Sequence, residues 1–303
     1  MRTALALLLT VAATSTALAD PCDVAPVARR VHKVLVTFPE PISTSEAARE
    51  KAVVALRHDV REVIADYGVG IAIPVVVTAD DRQIAALTKR GLGAQVSDEL
   101  DLVSFQGVVI DTSGRGRLEK PLRISGWELE AKRVVPYAVQ LRGPSYTGAW
   151  FDGVIAKLDA MGLQYGQMFD GSLDVAMTEA QARKVSALAE VQWVGRVEPL
   201  YKVSPELAGL ECPLVPLARV GRLAAAAGDR RTAGALIDLT VTYFEDSPAL
   251  RAAIKAAGGT VMFDGSSSGG AFLTISAPRR AIRTLAIRSD VAAIAGSSPG
   301  SID

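Results

Sequence analysis

The chain has 303 residues with 33 basic and 33 acidic side chains, so its formal net charge is zero, and only 5% of its residues are aromatic. Basic residues do not cluster among aromatic ones, as they do on a typical nucleic-acid-binding surface. The balanced charge likewise gives no indication of an acidic partner or of a membrane surface. The sequence therefore predicts no nucleic-acid partner and no membrane partner, and it leaves the oligomeric state open.

Residues 1–19 have the organisation of a secretory signal peptide. Arg2 supplies the positive n-region, residues 4–13 form the apolar h-region, and Ala17-Leu18-Ala19 is a small-x-small cleavage site. This apolar run is too short to span a bilayer. We therefore expect the mature chain to begin after residue 19 and to be secreted or periplasmic.

The two cysteines, Cys22 and Cys212, both lie in the part of the chain that is expected to be exported. An even number of cysteines in an oxidising compartment favours a disulfide, which would join Cys22 to Cys212. The alternative is a pair of buried or free thiols, since cysteine also packs as a small hydrophobic residue.

One pattern of strands and helices is repeated three times in the rest of the chain. In each copy the second helix follows a Thr or Ser cap, at Thr78, Thr178 and Ser276, roughly 100 residues apart. The repeat divides the mature chain into modules at residues 31–105, 134–203 and 233–297, joined by linkers at residues 106–133 and 204–232.

Module one is predicted from its apolar and capping residues. Valines and an aromatic side chain favour a strand at its start, and Gly68 favours the end of a long helix. The predicted elements are a strand at 33–38, a helix beginning at Ser43 or Ser45, a strand at 71–77, a helix beginning at Thr78 and a strand at 95–102.

Module two follows a linker that is rich in glycine and charge, with some strand character. Thr178 and Gln181 predict a capping box, and Asp170-Gly171 is a typical hairpin dipeptide. The predicted elements are a strand at 137–141, a helix ending at Gly162, strands at 164–169 and 172–177, a helix beginning at Thr178 and a strand at 191–194.

Module three follows a second linker that contains prolines and an alanine-rich, potentially helical stretch. Pro278 would lie in the first turn of the helix that follows Ser276, where proline is favoured. The predicted elements are a strand at 235–239, a helix at 247–257, strands at 260–263 and 271–275, a helix beginning at Ser276 and a strand at 291–294.

The order strand–helix–strand–strand–helix–strand predicts an α+β fold of three tandem ferredoxin-like modules. Right-handed crossovers place both helices of a module on one face of an antiparallel four-stranded sheet. The other face of each sheet is left open, and we expect it to present polar residues or to bind a partner.

Module two resembles the propeptide domain of subtilisin-type serine proteases, which also occurs as free-standing inhibitors of peptidase inhibitor family nine. The similar stretches are YAVQLRGP at 137–144, MTEAQ at 177–181, VQWVG at 191–195 and EPLYKVSP at 198–205. Module three is similar in layout, and module one is similar through VLVTF at 34–38 and the helix from Thr78. The segment 198–205 also resembles the stretch that precedes many secreted bacterial subtilase domains.

The resemblance implies that the open sheet face packs on two surface helices of a subtilisin-like protease. It also implies that the C-terminal tail lies in the protease cleft like a substrate, and that such domains template the folding of their protease. The tail residues that would bind the protease are Gly296, Ser297, Ser298, Pro299, Gly300, Ser301, Ile302 and Asp303.

The chain is not expected to be an enzyme. VIDT at 109–112 is similar to the strand that bears the catalytic Asp of subtilases, which makes Asp111 a candidate. A triad also needs a His and a Ser, but His32 and His58 both precede this strand, neither is in a His-Gly-Thr context, and no Gly-Thr-Ser-Met stretch exists. We predict no catalytic residues and no catalytic domain after module three.

Other candidate sites are explained by structure rather than by chemistry. Two distant histidines without a cluster of further ligands do not predict a metal site, and both are expected on the solvated surface. The Gly-rich residues 265–270 join two strands and lack a lysine, so no phosphate or other cofactor is predicted. The tryptophans, which are expected to pack in the core or at its edge and not to form a ligand site, are Trp127, Trp150 and Trp193.

The sequence supports three hypotheses for function. The first is an exported, non-enzymatic protein that binds and inhibits, or chaperones, a subtilisin-like serine protease. The second is a structural or adhesion scaffold made of the same modules, and the third is an orphaned remnant of a protease precursor.

Overall fold

A computed structural model of the chain describes residues 29–70, 73–143, 149–167, 172–210, 215–217, 220–227, 234–244, 247–267 and 270–297. Within these residues the fold is mixed α+β, with three four-stranded sheets and one three-stranded sheet. None of the helices described there has both the length and the apolar character needed to cross a membrane. Cys22 and Cys212 lie outside the described residues, so their disulfide stays a prediction.

The elements follow one another as three βαββαβ units with additional strands and a helix between them. In chain order they are β1 (His32–Thr37), α1 (Glu46–Leu56), β2 (Glu62–Asp66), β3 (Val75–Ala79), α2 (Asp81–Lys89), β4 (Gly93–Val96), β5 (Leu102–Ser104), β6 (Val108–Asp111), β7 (Val135–Leu141), α3 (Ala149–Ala160), β8 (Gln164–Gln167), β9 (Ser172–Met177), α4 (Glu179–Ser186), β10 (Val191–Arg196), β11 (Val215–Pro216), α5 (Val220–Ala227), β12 (Leu236–Tyr243), α6 (Pro248–Ala256), β13 (Thr260–Ser267), β14 (Gly270–Pro278), α7 (Ala281–Ala286) and β15 (Val291–Gly296).

The three four-stranded sheets share one strand order. The orders are β2-β3-β1-β4, β8-β9-β7-β10 and β13-β14-β12-β15, and every neighbouring pair is antiparallel. In each unit, the strand that comes first in sequence therefore lies between the third and the fourth strands of that unit. The two helices of a unit pack against the same set of alternate strand residues, so both cover one face of the sheet.

The first unit shows how this packing arises from the sequence. Val34, Val36 and Val77 are fully buried, because the period of a strand turns them to the same side of the sheet. They pack in one hydrophobic cluster with Leu56 of α1 and Leu87 of α2. This cluster fixes both helices on the same face.

Three predicted boundaries in the first unit are wrong. The last strand is predicted at 95–102, but β4 covers only Gly93–Val96 and a 3-10 helix follows it at Asp98–Asp101. The helix predicted to continue to Gly68 ends at Leu56, and the later part of that segment forms β2, in which Val63 pairs with Val77 of β3. The second helix does not begin after Thr78, because β3 continues through Ala79. Asp80 is the cap instead, accepting a hydrogen bond from the Gln83 amide in a capping box.

The second unit agrees closely with the sequence prediction. Thr178 caps α4 and forms the expected capping box with Gln181. Gly162 has a φ of +66° just after α3, a conformation that favours glycine at the end of a helix. The hairpin dipeptide Asp170-Gly171 lies outside the described residues.

The third unit differs from the prediction at its second helix. Ser276 does not cap a helix: it lies in β14 and pairs with Asp238 of β12, and the strand continues to Pro278. The helix α7 begins five residues later, at Ala281. The pairing with β12 keeps this segment extended even though it has the sequence of a helix start.

The segments predicted as linkers form a central layer between the units. In this layer β6 pairs antiparallel with β5 and parallel with β11, and α5 packs beside them. Val108, Ile110 and Leu223, all fully buried, belong to the largest hydrophobic cluster, which also contains the core of the third unit. These segments therefore contribute to the core and are not merely connections.

Candidate functional site

The faces of the three large sheets that bear no helices are covered to different extents. In the first unit, Val76 and Tyr67 on this face pack against Trp150 of the second unit, with the Tyr67 and Trp150 ring centroids 5.5 Å apart. In the second unit, Trp193 is fully buried in the central core, and Gln140 donates hydrogen bonds to the Leu100 and Leu102 carbonyls. Contacts between units thus cover the first face and much of the second.

The corresponding face of the third sheet has no such cover within the described residues. Leu239 and Val241 of β12 point towards the helices and are fully buried, so the alternate residues Thr240 and Thr242 point to the opposite side. The described side chains that share this side with them include Asp238, Phe263, Phe272, Thr274, Ser276, Ala293 and Ala295. We call these nine residues the open face. None of them belongs to a hydrophobic cluster of the described residues.

An aromatic pair lies towards one edge of the open face. The Phe263 and Phe272 ring centroids are 6.1 Å apart, and Phe263 remains 56% exposed. A Cβ at Gly265 would lie only 2.5 Å from the Phe263 ring, so glycine is what allows the ring to lie over the strand. Met262, the extra residue of a bulge in β13, is 65% exposed beside this pair. These exposed apolar side chains make this edge a candidate surface for contact with another protein.

The start of the predicted protease-binding tail leaves the same sheet. Gly296 ends β15, and its amide donates a 2.9 Å hydrogen bond to the Glu206 carboxylate. The Ser297 amide donates to the Asp238 carbonyl at 3.0 Å, next to the open face. The other tail residues, Ser298, Pro299, Gly300, Ser301, Ile302 and Asp303, lie outside the described residues. Only the first two residues of the predicted site are therefore placed by the structure.

A buried charge network joins the first unit, the central layer and the second unit. Arg29 forms ion pairs with Asp101 and with Asp111, the latter at 2.9 Å, and Lys33 binds the second oxygen of Asp101 at 3.0 Å. Gln192 donates to Asp101 at 2.7 Å. Burial lowers the pKa of Lys33, while the charge of Asp101 opposes that shift. The sequence analysis missed this network, whose directly bonded partners are up to 91 residues apart.

Asp111, the residue that resembles a catalytic aspartate, is a member of this network. Its second oxygen accepts a 2.9 Å hydrogen bond from the Ser113 amide. Burial alone would raise the pKa of Asp111, but the hydrogen bonds from Ser113 and the charge of Arg29 outweigh it and hold the pKa below its usual range. A carboxylate bound in this way orients the local chain and neutralises Arg29.

The two histidines differ from each other. His58 is exposed, as expected, but the expectation for His32 is wrong. Its side chain is only 16% exposed, and its Nδ1 lies 2.8 Å from an Asp98 oxygen. Among the described residues no group of His, Cys, Asp or Glu side chains has the geometry of a metal site.

The predicted packing role of the tryptophans is confirmed. Trp127 and Trp193 are buried in the central core, and Trp150 packs against Tyr67. The indole N–H of Trp193 also donates to Glu119 at 3.1 Å, so its polar atom has a partner in the interior.

No model of a known protein family matches the chain, and no curated protein is significantly similar to it in sequence.

Proposed function

We propose that this chain is an exported, non-enzymatic protein that binds a subtilisin-like serine protease through its third unit, and inhibits it or assists its folding. The main support is the open face of the third sheet, whose edge strand β15 continues directly into the tail at residues 296–303. Because the tail begins beside the open face, the face could pack on the surface helices of a protease while the tail enters its cleft.

The strand order supports the finer interpretation of the fold as three tandem ferredoxin-like modules. All three units have the first strand between the third and fourth, with both helices on one face. This is the arrangement that the resemblance to subtilisin propeptides implies. Since the corresponding faces of the first two units contact other parts of the chain, the third unit is the best candidate for docking.

The chemistry of the open face suits packing against helices. Of its nine residues only Asp238 is charged, and the threonines expose methyl groups as well as hydroxyls. Phe263 and Phe272 add apolar area at the edge. Small and branched side chains allow close approach, and two aromatic anchors supply most of the expected binding energy.

The role of Asp111 supports the non-enzymatic part of the proposal. Both of its carboxylate oxygens accept hydrogen bonds, one from Arg29 and the other from Ser113. A triad aspartate would instead orient a histidine. We accordingly propose that the purified chain does not hydrolyse peptide or casein substrates.

The proposal is tested by incubating the full mature chain with a panel of subtilisin-like proteases and measuring inhibition constants. Deleting residues 297–303 should raise the constant for a responsive protease at least about tenfold, roughly 1.4 kcal/mol. Thr240→Arg, which places a charge at the centre of the open face, should have a similar effect. Thr88→Arg is the matched control, because Thr88 is exposed on α2 of the first unit. Absence of inhibition and of folding assistance across the panel would refute the proposal.

A structural or adhesion scaffold is the second candidate. The central layer favours it, because it packs between the units and shares one hydrophobic cluster with the third. A scaffold would bind its partner without affecting proteolysis, so Thr240→Arg would weaken that binding while no protease in the panel responded to the chain.

A further inference from the structure

The helix-free face of the second sheet is only partly covered, and its uncovered part is the floor of a cavity. This cavity has a volume of about 520 Å³ and lies between the second and third units. Gln140 and Ser172, at one end of the face, are buried beneath the central layer. At the other end Ala176 is exposed and lines the cavity.

Small side chains create the hollow in the floor. Asp174 of β9 pairs with Ala138 of β7 on one side and with Gly166 of β8 on the other. A Cβ placed at Gly166 would meet no atom within 4 Å, so the space above it is open. The neighbours of Asp174 on the two adjacent strands are therefore the methyl group of Ala138 and the hydrogen atom of Gly166. Among these three residues, only Asp174 has a polar side chain.

The Asp174 carboxyl group has an unused hydrogen-bonding atom. Its Oδ1 is buried and has no hydrogen-bond partner in the described parts of the chain. A buried oxygen of this kind costs about 1–3 kcal/mol, and more when it is charged, unless something pairs with it. Burial alone accounts for the rise of the Asp174 pKa to about 7, with no cation contributing.

The walls of the cavity combine apolar surface with charges that are already paired. Val134 and Phe244 line it and are 47% and 44% exposed. Asp290, on the side of the third unit, is bound by Arg288 and by the Ser247 hydroxyl. Lys132 lies at the rim, 3.4 Å from Glu130. Among the charged groups of this lining, Asp174 is the one that lacks an opposite charge in the described parts of the chain.

We propose that this cavity binds a small organic cation, with a primary ammonium group paired to Asp174 and a compact apolar body against Phe244 and Val134. An anion would face the carboxylates of Asp174 and Asp290, whereas a neutral apolar molecule would leave the Asp174 oxygen unpaired. The volume lies within the range of small-molecule sites, and a mostly apolar lining with one orienting polar group is typical of them.

The test uses 2-phenylethylamine and its neutral analogue 2-phenylethanol, titrated into the full mature chain at pH 8 with amide NMR shifts as the readout. We expect the shifts to concentrate at Tyr165 and Val175, and the amine to bind at least tenfold more tightly than the alcohol. Asp174→Asn should remove this preference. Asp152→Asn, at an exposed position at the start of α3, should preserve it.

Two further measurements keep the proposal testable if Asp174→Asn does not fold. Gly166→Val fills the hollow without changing any charge and should abolish binding of both compounds. On the unmodified chain, lowering the pH from 8 to 5.5 should weaken binding of the amine by up to about thirtyfold, because a carboxyl with a pKa of about 7 becomes mostly protonated.

Two other ionisable groups of the cavity lining have pKa shifts that take them away from the range between pH 5.5 and 8. Desolvation and Asp159 raise the pKa of Tyr165, whereas Arg288 and Ser247 lower the pKa of Asp290 against the effect of burial. The lining also contains Lys132. Equal affinities for amine and alcohol, an amine affinity independent of pH, or no binding of either compound would overturn the proposal.

Discussion

Replacing Lys202 with methionine should stabilise the protein near neutral pH and change how its stability depends on pH. Lys202 is 1% exposed, and its ammonium donates a 2.6 Å hydrogen bond to the Arg288 carbonyl. Burial lowers the pKa of Lys202 to about 7 from 10.5, although Asp290 and Glu198 oppose that shift. The folded protein therefore binds this proton more weakly than the unfolded chain does.

The sign and the size of the effect follow from this difference. As the pH falls from about 10.5, the unfolded chain takes up the proton first, so the free energy of unfolding decreases until the folded lysine is protonated below about pH 7. A fall of between three and four pKa units corresponds to roughly 5 kcal/mol. Methionine removes this free-energy cost of burying a charged lysine. It also leaves the Arg288 carbonyl without its hydrogen-bond donor, which costs about 1–3 kcal/mol. We expect a net gain of about 2–4 kcal/mol at pH 6.5.

The measurement is urea unfolding of both proteins between pH 6.5 and 10, followed by tryptophan fluorescence. The free energy of unfolding of the variant should vary less steeply with pH, and the difference between the proteins should disappear or reverse towards pH 10. Lys33, whose pKa is also lowered, is present in both proteins and does not contribute to the difference. Lys51→Met, at an exposed position on α1, is the control. Parallel pH curves for the original protein and Lys202→Met would refute the argument.

Two pairs of substitutions test the local structure by urea unfolding. Thr178→Ala should lower the free energy of unfolding by about 1 kcal/mol through the lost helix cap, whereas Ser276→Ala should change it by less than about 0.5 kcal/mol, since Ser276 is in a strand; equal losses would place a cap at Ser276. Gly107→Ala should cost more than about 3 kcal/mol, because its Cβ would lie 1.8 Å from the Val203 carbonyl oxygen. Gly153→Ala lies within α3, where a Cβ would meet no other atom, and should raise the free energy of unfolding by up to about 1 kcal/mol. If Gly107→Ala left the free energy of unfolding unchanged, the backbone near Val203 must move to accommodate the methyl group.

The second unit could be predicted from the sequence because its signals are local. Thr178 and Gln181 are three residues apart, and the box they form needs no help from the rest of the fold. The same rule failed at Thr78 and Ser276, where a threonine or serine after apolar residues also suits the end of a strand. At both positions pairing with a neighbouring strand keeps the chain extended. Tertiary pairing thus overrides a local helix signal that is only moderately strong.

The strand character of the first linker and the alanine-rich helix of the second were predicted, and they correspond to β6 and α5. Their assembly into a central layer could not be predicted, because it depends on contacts between distant segments. Val108 pairs with Val215, more than 100 residues later, and Arg29 reaches Asp111 across 82 residues. The strands β6 and β11 are both shorter than a typical strand and lack its alternation of polar and apolar residues. Each therefore resembles part of a linker when considered alone. The charged residues that suggested a linker include Asp111, which is ion-paired with Arg29.

The open face illustrates the same limit for function. The sequence predicts that every unit has a face without helices, but it does not reveal which faces the rest of the chain covers. That depends on Trp150 reaching Tyr67 and on Gln140 reaching the Leu100 carbonyl, both of which are contacts between units. The open face of the third sheet, which the described residues leave without cover, and the cavity at Asp174 therefore emerge only from the assembled fold.

The distribution of hydrophobic cores indicates that the third unit depends on the central layer. The first and second units each have a separate cluster, whereas Leu239 and Ile275 of the third unit share one continuous cluster with Ile110 and Leu223 of the layer. Cutting the chain before the third unit would expose both sides of this cluster, and burial of each large aliphatic side chain is worth about 1.5–3 kcal/mol. The open face is thus held by a core to which the earlier segments contribute, which is why binding by this face has to be measured on the full mature chain.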